Sequence, residues 1–289
     1  MNKYSLIAIL SAVFYSLSVP ISKIMLLQDV NPIVLGGFTY LGAGIGLLFL
    51  NIKNKFRFKN PLTKKELPYI ILMIIFDILA IMFLMFGLSK TNSSNASLLS
   101  NFEIVATSLI AFLIFKERIS KKILFAILLI IIAGIILTYE DINSLRFLPG
   151  SLLVITAYCF WGMENNCTKI LSKKNSTQIT IVKGLLSGCG SLLISFILKS
   201  PVPSLKAIFL ISLIGFLSYG ISVNLYIYSQ NKLGAVKTAG YFSFAPYIAI
   251  LLSIIFLGEV PDFKFYIALI IMLLAGYIIY NDSIKESRS

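Results

Sequence analysis

Residues 117–140 read ERISKKILFAILLIIIAGIILTYE, and residues 259–282 read EVPDFKFYIALIIMLLAGYIIYND. Each is an apolar run bounded by charge, and the second is the first displaced by 142 positions. Glu117 falls on Glu259, Ala133 on Ala275, Gly134 on Gly276, and Glu140 on the like-charged Asp282. The same displacement carries Lys90 onto Lys232, Phe102 onto Phe244, and Gly42 and Gly46 onto Gly184 and Gly188. A displacement of 146, which costs one four-residue gap, aligns Phe14 with Phe160, Tyr15 with Trp161 and Lys23 with Lys169. Ile-rich helices align with one another through composition alone. Glu, Gly and Lys under one offset do not. The chain is therefore read as two repeats, 1–142 and 143–289.

A hydrocarbon layer about 30 Å thick takes roughly 20 apolar helical residues to cross. The chain meets that length repeatedly: 58% of its 289 residues are hydrophobic and 13% are charged, with a mean hydropathy of +0.91. A soluble domain carries about 25% charged residues. The apolar runs predict ten spans, at 4–27, 32–52, 67–89, 93–115, 121–139, 150–171, 176–198, 206–230, 236–257 and 263–281. The first runs on to Leu27 without a small-x-small cleavage site, so it reads as a span rather than a signal peptide. The fold class expected is an all-α integral membrane protein. Its net charge of +13 is no nucleic-acid signal, because the basic residues sit in short gaps and build no continuous face. With the N-terminus inside, eighteen Lys and Arg fall on inner segments. Six fall on outer ones: Lys23, Lys90, Arg146, Lys199, Lys206 and Lys264. That bias places both termini in the cytoplasm. Cys159, Cys167 and Cys189 lie in apolar runs without metal-type spacing, and the chain has no histidine.

Five helices per repeat is an odd number, so the second repeat is inverted relative to the first. Inverted repeats are a transporter signature, with the substrate site near the midplane between them. The chain resembles the drug/metabolite transporter superfamily, specifically its EamA-type members. The resemblance rests on Phe160-Trp161-Gly162 with Lys169, and on Phe115-Lys116-Glu117, echoed by Leu257-Gly258-Glu259. Pro246 matches a proline common in helix four or nine of that family. Its repeat mate is Ile104, so the first half departs from the pattern, which leaves a matching kink there open. The resemblance implies a small-molecule substrate, a lipid bilayer as surroundings, no cofactor and no catalysis. It leaves the oligomeric state open, a monomer included.

An ionisable group at the centre of a membrane helix costs about 2.5–3.5 kcal/mol on insertion scales. Four therefore need a reason: Asp77, Glu103, Glu164 and Lys183. Glu164 lies nine residues before Lys173 and Lys183 nine after Lys174, so both sit about 13 Å from the hairpin turn. An ion pair between them is geometrically available. Tyr158, Trp161, Asn165 and Thr168 make one stripe beside Glu164, suited to holding an organic solute. On the eighth span, Tyr219, Ser222, Tyr226 and Gln230 share a face. On the ninth, Tyr241, Phe244 and Tyr247 do likewise. Glu103 matches Ala245 under the repeat, and Asp77 matches Tyr219. Glu103, Glu164 and Asp77 are the candidates for proton coupling, with Lys183 as charge partner; Asp77 reads equally as a buried structural hydrogen bond. Gly42, Gly46, Gly184 and Gly188 read as close helix packing.

No Gly-rich phosphate loop is present, which argues against ATP drive. Three carboxylates against one lysine favour a cationic or zwitterionic solute such as an amine or amino acid. A lipid flippase or a lipid-modifying enzyme is the alternative, although no Asp/Glu cluster or histidine lies in any loop. The abundance of Ile, Lys and Asn suggests an AT-rich bacterial genome and hence the inner membrane.

Overall fold

The computed structural model describes residues 3–52, 58–114, 116, 119–141, 146–233, 238 and 241–286. The family-like pair Phe115 and Glu117 lies outside them. In lipid every backbone N–H and C=O must be satisfied within the protein, and apolar runs of this length do so as helices. They are α1 (Lys3–Ser16), α2 (Ser18–Leu26), α3 (Pro32–Ile52), α4 (Leu67–Ser89), α5 (Ser93–Leu99), α6 (Phe102–Leu113) and α7 (Lys121–Thr138). A short ribbon follows, β1 (Tyr139–Asp141) paired antiparallel with β2 (Arg146–Phe147). Next come α8 (Pro149–Leu171), α9 (Ser176–Ile197), α10 (Leu205–Gly215), a π-helical turn (Phe216–Ile221) and α11 (Ser222–Leu233). The described chain closes with α12 (Ala245–Leu257) and α13 (Phe263–Glu286).

Helix starts are set by side-chain caps. Ser120 accepts from the Ile123 N–H at 3.1 Å, Asn175 from Gln178 at 3.0 Å and Ser204 from Ala207 at 3.3 Å. Ahead of α4, Glu66 accepts from both the N–H (2.7 Å) and the hydroxyl (2.6 Å) of Thr63. Each bond satisfies a group that the first helical turn would leave orphaned.

Among the described residues, eight helical stretches are long and apolar enough to cross a membrane. Two of the ten expected spans differ. The helix at Pro149–Leu171 has the length, but Glu164, Asn165, Asn166, Thr168 and Lys169 make it too polar. In the run expected at 236–257 the described chain turns at 243–244, and the helix after it, Ala245–Leu257, is short for a crossing. Pro246 sits in the first turn of α12, where its missing N–H would be unsatisfied anyway. The first half breaks at the equivalent place without a proline: turns at Ser100 and Asn101 separate α5 from α6. There the Ser100 hydroxyl donates to Ser97 O at 2.7 Å and the Asn101 amide to Leu98 O at 2.9 Å. Such local bonds compete with the helical ladder. In the first span, Pro20 cannot donate to Ser16, and the chain steps from α1 to α2 at Leu17.

The packing pairs the halves by exchange. The contact of α4 with α8 is matched by that of α11 with α1, its counterpart under the repeat. Likewise α3 on α10 matches α9 on α4, while α3 on α9, α5 on α12 and α7 on α13 each map onto themselves. Glycines carry the central crossing. A Cβ on Gly184 would meet Gly44 N at 2.5 Å and Tyr40 O at 2.9 Å, and one on Gly188 would meet Leu41 N at 2.6 Å. Gly42 backs onto the Ser212 backbone and Gly46 onto the Phe216 ring. Close backbone approach is how helices associate in lipid, where no hydrophobic drive exists between them.

Gly184→Ala should therefore destabilise by about 1–3 kcal/mol, the usual cost of overpacking. In Gly276→Ala the new methyl meets only Tyr247 Oη, at 3.4 Å, and should leave the detergent melting temperature unchanged or raise it. Equal losses in the two variants would refute backbone contact at the α3–α9 crossing.

Candidate functional site

Between the halves lies a partly open cavity, about 580 Å³ when the solvent space at its mouth is included. Helix α8 contributes Trp161, Glu164, Asn165 and Thr168, α9 contributes Lys183, and α6 contributes Glu103. The π turn and α11 add Tyr219, Val223, Tyr226 and Ile227, and Phe242 precedes α12. Tyr15 of α1 and Tyr40 of α3 complete the wall.

At its base the Lys183 ammonium lies 3.1 Å from Asp77 Oδ1 and 3.1 Å from Glu164 Oε1. All three are buried, Asp77 completely. A chain of donors orders this cluster: Trp161 Nε1 donates to Tyr40 Oη at 3.2 Å, and Tyr40 donates to Asp77 at 2.8 Å. The Thr168 hydroxyl donates to Glu164. Three ionisable groups held this way in a dry interior are tolerable only together, because an unpaired buried charge costs several kcal/mol. Among the described residues no group of three or more His, Cys, Asp or Glu could hold a metal ion.

Glu103 stands apart from the cluster. Its carboxylate accepts from the Asn165 amide at 2.5 Å, and among the described residues no cation comes within ion-pair distance of it. Neighbouring Asn166 clips α8 to α6, donating to Gly162 O at 2.9 Å and to Thr107 O at 3.2 Å.

Aromatic rings connect along the opposite wall. Tyr226 and Phe242 have centroids 4.9 Å apart, Phe242 and Tyr15 5.1 Å, Tyr15 and Tyr219 5.7 Å, and Tyr219 and Tyr40 5.4 Å. The negative faces of such rings attract cations as well as apolar groups.

Six of the expected binding residues line this cavity: Trp161, Glu164, Asn165, Thr168, Tyr219 and Tyr226. Four do not. Tyr158 is fully buried behind Trp161, with ring centroids 5.2 Å apart. Ser222 turns away because the π turn inserts an extra residue into the repeat of the helix. That shift puts Val223 on the cavity face and leaves Ser222 bonded to Ser11, donating to its backbone oxygen at 2.8 Å. Helical spacing puts Tyr241 and Phe244 on one face, but the chain turns at 243–244. Phe244 consequently lies 54% exposed on the outside, and Tyr241 does not reach the cavity wall. Spacing along the chain does not single out Tyr15, Tyr40 and Phe242. Tyr15 alone carries a signal, since it is the repeat mate of Trp161.

A family model described as the EamA-like transporter family matches residues 2–139 and again residues 148–281. The chain belongs to the EamA-like transporter family. This EamA-like transporter is similar to an uncharacterized transporter of Methanothermobacter thermautotrophicus, 28% identical over 94% of the chain and 84% of the relative. It is also similar to one of Clostridium kluyveri, 26% identical over 99% of the chain and 96% of the relative. The uncharacterized transporter YyaM of Bacillus subtilis is 27% identical over 74% of the chain and 72% of the relative. A solved crystal structure covers 96% of the chain and 98% of its own, with a TM-score of 0.68 at 15% identity; at that identity the likeness concerns the fold.

Lys183→Met should destabilise by about 3–5 kcal/mol, the cost of stranding buried carboxylates. In an Asp77→Asn, Glu164→Gln background the same substitution should cost much less. A cycle of melting measurements showing no coupling would refute the cluster.

Proposed function

We propose that this EamA-like transporter is a secondary active carrier. It moves a small polar organic solute, an amine, amino acid or related cation or zwitterion, across the cytoplasmic membrane by alternating access. In this reading the chain crosses ten times as two inverted repeats, 1–142 and 143–289, with both termini in the cytoplasm. The Lys and Arg bias supports the orientation, and the exchange-paired packing of the halves supports the inversion.

The observation that carries the reading is a pocket between the halves whose lining joins Glu103, a carboxylate outside the Lys183 cluster, to an aromatic wall. Asp77, Glu103 and Glu164 outnumber Lys183, and Lys183 is already shared by two of them. Among the described residues that line the cavity, an anionic solute meets no cation but the shared Lys183, while a cation has Glu103 and the ring faces. Glu103 also carries the proton: it is in the cavity, and its charge is not consumed by a fixed partner. The ten-residue step from Ser93 to Glu103 puts it about 15 Å along the α5–α6 stretch, near mid-depth.

A thermal-shift panel of amines, amino acids, nucleosides and sugar phosphates on detergent-purified protein tests this directly. A ligand at a hundred times its dissociation constant stabilises by about 2.7 kcal/mol. Stabilisation by amines or amino acids that falls away in Glu103→Gln is the expected result, and hits confined to anions would overturn the charge argument. In proteoliposomes, Glu103→Gln should also lose proton-driven flux; pH-dependent transport that survives the substitution would remove Glu103 from coupling.

A further inference from the structure

The cavity reaches toward one end of the helices only. Thr168 lies three residues from the last residue of α8, Ile227 six from the end of α11, and Lys183 seven from the start of α9. Toward the other end, Tyr40 lies eight residues from the start of α3 and Trp161 twelve from the start of α8. Those steps correspond to about 12–18 Å of helix. The distant end is where the turn between α4 and α5, residues 90–92, closes over the bundle.

That turn is gripped from three sides. Lys23 of α2 donates to Leu88 O and Thr91 O, both at 2.8 Å. Gly150 at the start of α8 sits so close to the Lys90 backbone that a Cβ would come within 2.7 Å of Lys90 O. Glu259, in the loop after α12, accepts through Oε1 from the Ser93 N–H at 2.7 Å. Through Oε2 it accepts from the Ser94 N–H at 2.7 Å and the Ser94 hydroxyl at 2.6 Å. Beneath it the Ser93 and Ser253 hydroxyls meet at 2.8 Å.

Resting on the carrier reading above, we infer that Glu259 is the latch that holds the distant end shut, and that opening there begins when its carboxylate releases Ser93 and Ser94. Lys23 binds within its own half, so it can travel with the turn it caps. Glu259 joins a loop of the second half to the turn of the first, so the two cannot part while its three bonds stand. The location suits a reversible catch. Glu259 is only partly buried, so water can replace each bond as it breaks. Charge-assisted bonds are roughly twice as strong as neutral ones, so neutralising the side chain while keeping its shape weakens the catch without emptying the space.

The test uses a chain with Cys159, Cys167 and Cys189 replaced by Ser and a single cysteine at Ser97, which is 1% exposed and one turn inward from the latch. A membrane-impermeant maleimide is added from the side that carries residue 259. Glu259→Gln should speed labelling about tenfold, the factor that about 1.4 kcal/mol carries, and Ser94→Ala by a smaller factor. Glu66→Gln, which weakens a cap away from this turn, should leave the rate unchanged. An unchanged rate in folded Glu259→Gln overturns the latch, and so does an equal rise in Glu66→Gln. Should Glu259→Gln fail to fold, Ser94→Ala decides, and no rise there overturns the inference. Labelling needs no substrate. A silent ligand panel therefore leaves the latch standing, and a flat labelling rate leaves the carrier reading standing.

Discussion

One ammonium shared by two carboxylates sets the terms for the rest of the molecule. Lys183 sits 3.1 Å from both Asp77 and Glu164, all three buried, and each charge is acceptable only while the others hold position. The cluster thereby fixes α4, α8 and α9 in register and depth. Tyr40 and Trp161 extend that order to α3 and the cavity wall. Because Lys183 is already over-subscribed, the carboxylate of Glu103 is the charge left for a solute or a proton. The chemistry available in the cavity follows from the scaffold's own neutralisation.

Much of this is legible in the residues. The offset that superposes Glu117 on Glu259 and Gly42 on Gly184 exposes the repeat, and equal distances from one hairpin turn bring Glu164 level with Lys183. Asp77 is harder to place. Helical spacing relates residues along one helix, and nothing in the spacing of α4 says that it packs on α8. Three of the residues expected in the cavity, Ser222, Tyr241 and Phe244, lie off its wall for a related reason. A 3.6-residue period misplaces them because the backbone abandons that period in their segments, through a π turn in one case and a break at 243–244 in the other. Period arguments fail where the helix is irregular, and irregular helix is tolerated at membrane depth where protein or a cavity takes up the freed groups.

The broken stretches are α1–α2, α5–α6, α10–α11 with its π turn, and the approach to α12. Tyr15, Glu103, Tyr219, Tyr226 and Phe242 all come from them. The charge cluster instead stands on α4, α8 and α9, which run without interruption. Continuous helices thus hold the buried charges, and interrupted ones supply much of the wall against which a solute rests.

The polarity of α8 also bears on how the chain enters a membrane during synthesis. Pro149–Leu171 is the one long helix that does not reach the apolarity of a self-sufficient span among the described residues, and it is followed after only four residues by α9. Glu164 would enter lipid unneutralised if α8 partitioned alone. Lys183 removes most of that cost when both helices enter as one hairpin. The bond that organises the finished protein thus makes the α8–α9 hairpin, rather than either helix, the natural unit of insertion, with Asp77 of the earlier α4 waiting to receive it.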